Sequence, residues 1–327
     1  MRAALCRVYG DPEVLEVIDV PAPDLAPGQA RVRVHAASVN FPDVLLMADR
    51  YQMSVPVPFV VGSEFAGEVV EVTPGVHHVL VGDRVFGSTM VGAFAEEVAV
   101  TATSLTPVPA GVADVAAAAF GVASRTSYHV LRSVAALQPG EELIVLGAGG
   151  GVGSAAVQIG ALLGASVTAV ASTPEKLDAA RACGATRLIQ HQGGTDLRQA
   201  LRDALPDGAD VVVDPVGGDL AEPALRSLRY GGRFVTVGYA SGAIPRLPLN
   251  LVLLKGVAIL GFQFRDFAAH QPADLARNDA ELLDLLATGR LTPLVSATFA
   301  LEDAAAALRH VASGLAVGKV VLQIAPV

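Results

Sequence analysis

The chain has 327 residues, of which 52% are hydrophobic and 17% charged, and its net charge is −9. That apolar content excludes intrinsic disorder, and the length suits two domains of about 100–200 residues each. The acidic balance argues against nucleic acid and anionic membrane as partners, and two cysteines, Cys6 and Cys183, are too few for a disulfide framework or a four-thiolate zinc site. Met1–Val20 carries Glu and Asp where a secretory signal needs an unbroken apolar run, so the expected address is the cytoplasm.

The first third is β-rich. RVRVHAASV (Arg31–Val39) alternates charged and apolar residues as a half-buried strand does. EFAGEVVEV (Glu64–Val72), GDRVFG (Gly82–Gly87) and AFAEEVAV (Ala93–Val100) read as further short strands, which together predict a small barrel-like domain. From about Ala113 strands alternate with helices. LIVLG (Leu143–Gly147), SVTAVAS (Ser166–Ser172), RLIQ (Arg187–Gln190), ADVVVD (Ala209–Asp214), RFVTVG (Arg233–Gly238) and GVAILGF (Gly256–Phe262) are apolar runs with amphipathic segments between most of them. That pattern predicts a parallel sheet covered on both faces. The tail predicts a helix over ADLARNDAELLDLLATG, a strand at VSATFAL, a helix at Glu302–Gly314 and a last strand in Gly318–Ile324.

Leu143–Pro174 contains no Asp, Glu, Lys or Arg and is longer than the roughly 20 residues of a membrane span. Its glycines and changing periodicity instead predict strand, turn, helix and strand, all buried.

The most informative segment is Gly147-Ala148-Gly149-Gly150-Gly151-Val152-Gly153, between a strand and a helix. Glycines there let the backbone approach a pyrophosphate, which the N–H groups of the helix start then bind. The spacing is G-x-x-G-x-x-G rather than G-x-G-x-x-G, and a lone glycine cluster also serves as a tight connection; the flanking strand and helix favour dinucleotide binding. The second strand ends Ala171-Ser172-Thr173-Pro174-Glu175-Lys176. No carboxylate stands where NAD-dependent folds hold the ribose hydroxyls. Ser172, Thr173 and Lys176 instead suit the 2′-phosphate of NADPH. Lys176 alone reads as a solvated helix residue, but the chain has only two other lysines, Lys255 and Lys319.

No HExxH, CxxC, nucleophile elbow or Walker loop is present, so no metal ligand set is expected and hydrolase and kinase chemistry drop away. His77-His78 read as solvated turn residues.

VNFPD (Val39–Asp43), GSEFAG (Gly62–Gly67), RTSYHVL (Arg125–Leu131), GAGGGVG, DPVGG (Asp214–Gly218), VGYASG (Val237–Gly242) and GKVVL (Gly318–Leu322) follow in one order. In this the chain resembles the zinc-free, zeta-crystallin-like quinone oxidoreductases of the medium-chain dehydrogenase/reductase superfamily, over essentially its whole length. The resemblance implies the α/β class: a Rossmann doubly wound parallel sheet at 123–266, plus a discontinuous GroES-like β-barrel catalytic domain at 1–122 and 267–327. Zinc-dependent relatives carry Gly-His-Glu where this chain has Gly62-Ser63-Glu64.

The same resemblance places Asn40 and Tyr51 at the reaction centre. It places Thr126, Gly149, Gly150, Gly151, Val152, Ser172, Thr173, Lys176, His191, Gly217, Gly238, Tyr239, Ala240, Phe262, Gln263 and Phe264 at the cofactor. Asn40 also reads as a helix N-cap with Asp43 as its third residue, and Phe262 and Phe264 as core or dimer-edge aromatics. Leu45 stands where some members carry a second tyrosine, which makes the substrate pocket more apolar.

These features point to an NADPH-dependent reductase that delivers hydride to a quinone, or to an enone or enoyl thioester. The partner is a small-molecule acceptor, and a second copy joins at the apolar GVAILGF edge. A cofactor-binding structural protein is the non-enzyme alternative. An RNA binder does not suit the acidic charge.

Overall fold

The computed structural model describes residues 1–192 and 195–324. Two compact units divide the chain: Met1–Val122 with Thr292–Val327, and Ala123–Leu291.

The first unit is built on the long strand Gln29–Val39, whose alternating residues bury Val32 and Val34 on one face. It pairs antiparallel with Glu64–Val72, Glu97–Thr101 and the C-terminal strand Lys319–Gln323. Val295–Ala300 lies outside Lys319–Gln323, and Arg84–Ser88 and Leu105–Pro107 continue the sheet beyond Glu64–Val72. A separate three-stranded sheet joins Leu15–Asp19, Arg2–Cys6 and Phe59–Val60. Phe65, Phe94, Val32, Val69, Val85 and Leu308 belong to one buried core.

Register brings distant residues together here. Val39 pairs with Val320 and Ser38 with both Val321 and Glu64. Asn40, which follows this strand, therefore meets Glu64 and Lys319 at one end of the sheet. The next residues form the short helix Phe41–Met47, with Pro42 in its first turn.

The second unit contains one six-stranded parallel sheet. Its order is Arg187–Gln190, Ser166–Ala171, Glu142–Leu146, Ala209–Asp214, Leu228–Thr236 and Ala258–Gly261. Chain order reverses between Glu142–Leu146 and Ala209–Asp214, and open sheets of this kind bind ligands where the order reverses, beyond the strand ends. The uncharged stretch forms strand, turn, helix (Gly151–Leu162) and strand as expected. Among the described residues no helix is long and apolar enough to cross a membrane.

Three expectations differ from the structure. The strand expected from Ala93 begins at Glu97, because Ala93–Ala95 is buried without continuous ladder pairing. The strand expected from Arg233 begins at Leu228, before its two glycines. Residues 267–291, expected with the catalytic domain, belong to the second unit. Helix Pro272–Ala287 is tied there by side chains that hydropathy does not reveal. Asn278 lies within 3.0 Å of His129 Nδ1 and donates to Ser133 Oγ at 2.9 Å, Asp279 accepts two bonds from Arg125, and Glu281 accepts from Tyr128.

The glycine turn has one position that tolerates no side chain. A Cβ on Gly153 would stand 2.0 Å from the Gly147 carbonyl oxygen, and the obstacle is backbone. Gly153→Ala should therefore destabilise the second unit by about 1–3 kcal/mol or more, measured by urea unfolding; wild-type stability would show that the turn relaxes freely.

Candidate cofactor and active site

The cofactor side of the second unit starts at the buried strand Glu142–Leu146. Gly147 turns the chain at φ +61°, and Gly150 caps the helix Gly151–Leu162 in an extended conformation. Gly151 and Val152 open that helix, so their N–H groups lack intrahelical acceptors and the positive end of the helix lies at the turn. Ser127 Oγ donates to the Val152 carbonyl at 2.9 Å and ties the helix carrying Thr126 to this turn.

Gly149 is crossed by another side chain: a Cβ there would meet Lys176 Cβ at 2.4 Å. The missing side chain leaves room for the lysine stem, which brings the ammonium to Ser172 Oγ at 3.4 Å. Thr173 caps the following helix by accepting the Lys176 N–H at 3.4 Å. His191 joins them because strand Arg187–Gln190 pairs with Ser166–Ala171, and its N–H donates to the Ala171 carbonyl at 3.0 Å. Burial lowers the pKa of Lys176. Burial also lowers that of His191, and the Lys176 charge pushes it further down. An added phosphate dianion would favour the charged form of both side chains. The glycine cradle and this basic end fit a dinucleotide with a 2′-phosphate.

On the same edge of the sheet, at the end of the strand next to Glu142–Leu146, Asp214 is fully buried. Its Oδ1 accepts N–H bonds from Val216 and Gly217, its Oδ2 has no hydrogen-bond partner among the described residues, and burial raises its pKa. Gly217 lies beside Tyr239, whose ring a Cβ there would touch at 2.8 Å. Gly238 and Ala240 follow the neighbouring strand end and donate to the Asp214 and Pro215 carbonyls. Phe262, Phe264 and Phe267 surround the fully buried His129 ring, with centroids 4.8–6.3 Å away. The Arg125 guanidinium sits 4.6 Å from the centroid of Phe264. Gln263 caps the helix Phe264–His270 by accepting from the Asp266 N–H at 2.7 Å.

The first unit supplies a separate polar cluster. Asn40 Nδ2 donates to Glu64 Oε2 at 3.1 Å, and its Oδ1 accepts from Lys319 Nζ at 2.5 Å. Lys319 pairs with the same Glu64 oxygen at 3.0 Å. Asp43 accepts the Asn40 N–H and the Ser63 hydroxyl, both at 2.7 Å. Burial pushes its carboxyl up to about 6 against the opposing pull of Ser63, Asn40 and Lys319, and Glu64 adds to the rise. Tyr51 is half-buried nearby, and desolvation and then the Asp43 charge keep its phenol protonated. Among the described residues no three His, Cys, Asp or Glu side chains form a group that could hold a metal ion.

Two domain families match the chain: the alcohol dehydrogenase GroES-like domain at residues 26–110 and the zinc-binding dehydrogenase domain at 151–280. The quinone oxidoreductase-like protein 2 of Bos taurus is 36% identical over 99% of this chain and 92% of its own length. The chain belongs to the quinone oxidoreductase family of the medium-chain dehydrogenases/reductases. The Escherichia coli quinone oxidoreductase solved with NADPH superposes with a TM-score of 0.91 at 28% identity, covering 99% of this chain and 100% of that one. Polyketide synthase GfsB of Streptomyces halstedii is 37% identical over 92% of this chain, which spans 5% of that synthase.

For a member of this family the predicted residues fall into two groups. In the first unit Asn40 bonds Asp43, and Tyr51 lies within reach of the Asp43 charge. The glycine turn, Ser172, Thr173, Lys176 and His191 follow the carboxyl ends of three neighbouring strands of the second unit's sheet, and Gly217, Gly238, Tyr239 and Ala240 follow those of the next two. Phe262 and Phe264 are partly exposed and place their rings near His129. The sequence reading missed Glu64 and Lys319 as partners of Asn40. One signal pointed to Lys319, a rare lysine at the head of an otherwise apolar strand.

The Asp43 shift has a stability consequence. A carboxyl held above its ordinary 3.8 favours the folded state only while protonated, so stability falls as pH rises from about 4 to about 6. Asp43→Asn should flatten that decline, measured by thermal unfolding across this range; an unchanged pH slope would assign the decline to other groups.

Proposed function

We propose that this NADPH-dependent oxidoreductase reduces a quinone or a similar conjugated acceptor and that it does so without zinc. Bound NADPH supplies a hydride from its nicotinamide ring. The chain's own residues bind the cofactor, orient the acceptor and meet the negative charge that grows on the acceptor oxygen. The observation that carries this reading is the first-unit cluster. Ser63 stands where zinc-dependent relatives place a histidine, and its hydroxyl is spent on Asp43. Hydrogen-bond donors, Asn40 Nδ2 and the Tyr51 hydroxyl, are left to do the work of a Lewis acid. The likeness to a segment of GfsB supports a second reading, reduction of an enoyl thioester double bond, which leaves charge on a thioester oxygen and needs the same donors.

NADPH oxidation by a panel of quinones, enones and enoyl thioesters, before and after dialysis against a strong chelator, tests both readings. Turnover that survives chelation supports the zinc-free reading, and stoichiometric zinc with chelator-sensitive turnover overturns it. Tyr51→Phe should lower kcat by roughly 10²-fold with little change in NADPH affinity. Unchanged kcat across the panel would remove Tyr51 from the reaction.

Cofactor choice follows from the Ala171–Lys176 segment. A charge-assisted contact of about 1.5–3 kcal/mol corresponds to roughly ten- to a hundredfold in affinity. NADPH should bind more tightly than NADH by this factor, Lys176→Ala should reduce it, and Ala171→Asp should reverse it. Equal dissociation constants in the wild type would refute the assignment.

A homodimer is part of the same proposal. Strand Ala258–Gly261 is the sheet edge, and Ile244, Leu249, Leu253 and Leu254 nearby in sequence are 73–81% exposed. An unpaired edge beside exposed apolar side chains favours pairing with a second copy. Light scattering should give about twice the 33.4 kDa chain mass, and Ala258→Lys should shift the protein toward monomer. A wild-type monomer at micromolar concentration would count against it.

A further inference from the structure

Three buried ionisable side chains converge on one neutral residue. Asn40 gives its backbone N–H to Asp43, takes a hydrogen bond from Lys319 on Oδ1, and gives one from Nδ2 to Glu64. Lys319 is 4% exposed and Glu64 1%. An ammonium only donates and a carboxylate only accepts, so the amide oxygen must face Lys319 and the nitrogen must face Glu64. Glu64 is fixed in turn, because its other oxygen accepts the Val122 N–H at 2.7 Å. A buried ion pair of this kind is often replaceable by apolar residues without loss of stability, so stability alone is a weak reason for it.

The unused capacity of the amide is informative. Nδ2 carries two hydrogens; one serves Glu64, and the other has the Ser38 carbonyl at 3.4 Å, beyond the usual bond length. A developing anionic oxygen would bind that hydrogen more strongly. We propose that Lys319 is a positioning residue of the reaction, its buried ammonium orienting and polarising the Asn40 carboxamide so that the second Nδ2 hydrogen meets the acceptor oxygen. This rests on the proposed function, in which Asn40 faces the acceptor. The ammonium draws electron density toward Oδ1 and makes the Nδ2 hydrogens more positive, as linked hydrogen bonds strengthen one another in a low-dielectric interior. No proton or electron passes through Lys319. It supplies part of the field that a metal ion would supply, delivered through one amide.

The test compares full-length wild type, Asn40→Ala, Lys319→Met, Lys319→Arg and the double variant Asn40→Ala/Lys319→Met. Lys319→Met should lower kcat by roughly ten- to a hundredfold and leave the dissociation constant for NADPH unchanged. Lys319→Arg should recover part of the loss, and the double variant should be no slower than Asn40→Ala alone. Should Lys319→Met not fold with Glu64 left unpaired, Glu64→Gln/Lys319→Met removes both charges and takes its place. The side-chain amide resonance of Asn40, assigned by its loss in Asn40→Ala, should move in every variant lacking Lys319. Wild-type kcat without Lys319, multiplying effects in the double variant, or an unmoved amide resonance would each overturn the inference. Failure of the functional reading looks different: wild type would oxidise NADPH with none of the acceptors, and the amide resonance would still decide whether Lys319 sets the Asn40 carboxamide.

Discussion

Burying an ammonium is costly unless its charge and its donors are matched, and Lys319 is matched by Glu64 and Asn40. That requirement constrains the first unit. The strand that begins with Lys319 must lie against the end of Gln29–Val39, Glu64–Val72 must flank the same strand, and Asn40 must start its helix between them. A slip of one residue in either pairing would turn these side chains to the opposite face and strand the charges. The polar cluster thus sets the register as well as lining the candidate reaction centre.

The second unit depends on a steric constraint of a different kind. Gly153 sits against the Gly147 carbonyl and Gly149 against the Lys176 stem, so two absent side chains draw turn, helix and neighbouring strand end together. The same closeness that packs the helix leaves its first N–H groups available for a pyrophosphate. It also places Lys176 beside Ser172, where its charge weakens the protonation of His191. Helix packing and the placement of Lys176 are here consequences of one backbone path.

The two units handle charge differently. The first buries ionisable groups and lets them constrain one another, which moves Asp43 into a range where ordinary pH changes its charge. The second leaves its basic end half-buried, and Arg125 and Asp279 close an ion pair beside the His129 cluster. These arrangements suit a centre that must place hydrogen-bond donors and a site that must receive an anion.

Much of this was legible in the sequence, because it is local. Strand Glu64–Val72 and strand Arg187–Gln190 have the limits their patterns predicted, and the uncharged stretch Leu143–Pro174 resolved into strand, turn, helix and strand. Glycine spacing marked the turn, and the absence of an acid at Ala171 was visible at once. Other features depended on residues far apart in the chain. Helix Pro272–Ala287 joined the second unit through Asn278, Asp279 and Glu281, and no hydropathy pattern identifies the partners of a polar side chain. Lys319 lies 279 positions from Asn40 and 255 from Glu64. Periodicity determined that each belonged to a strand or a strand end; only the antiparallel register decided that they meet, because a hydrogen-bond partner is chosen by position in space and not by neighbours in sequence.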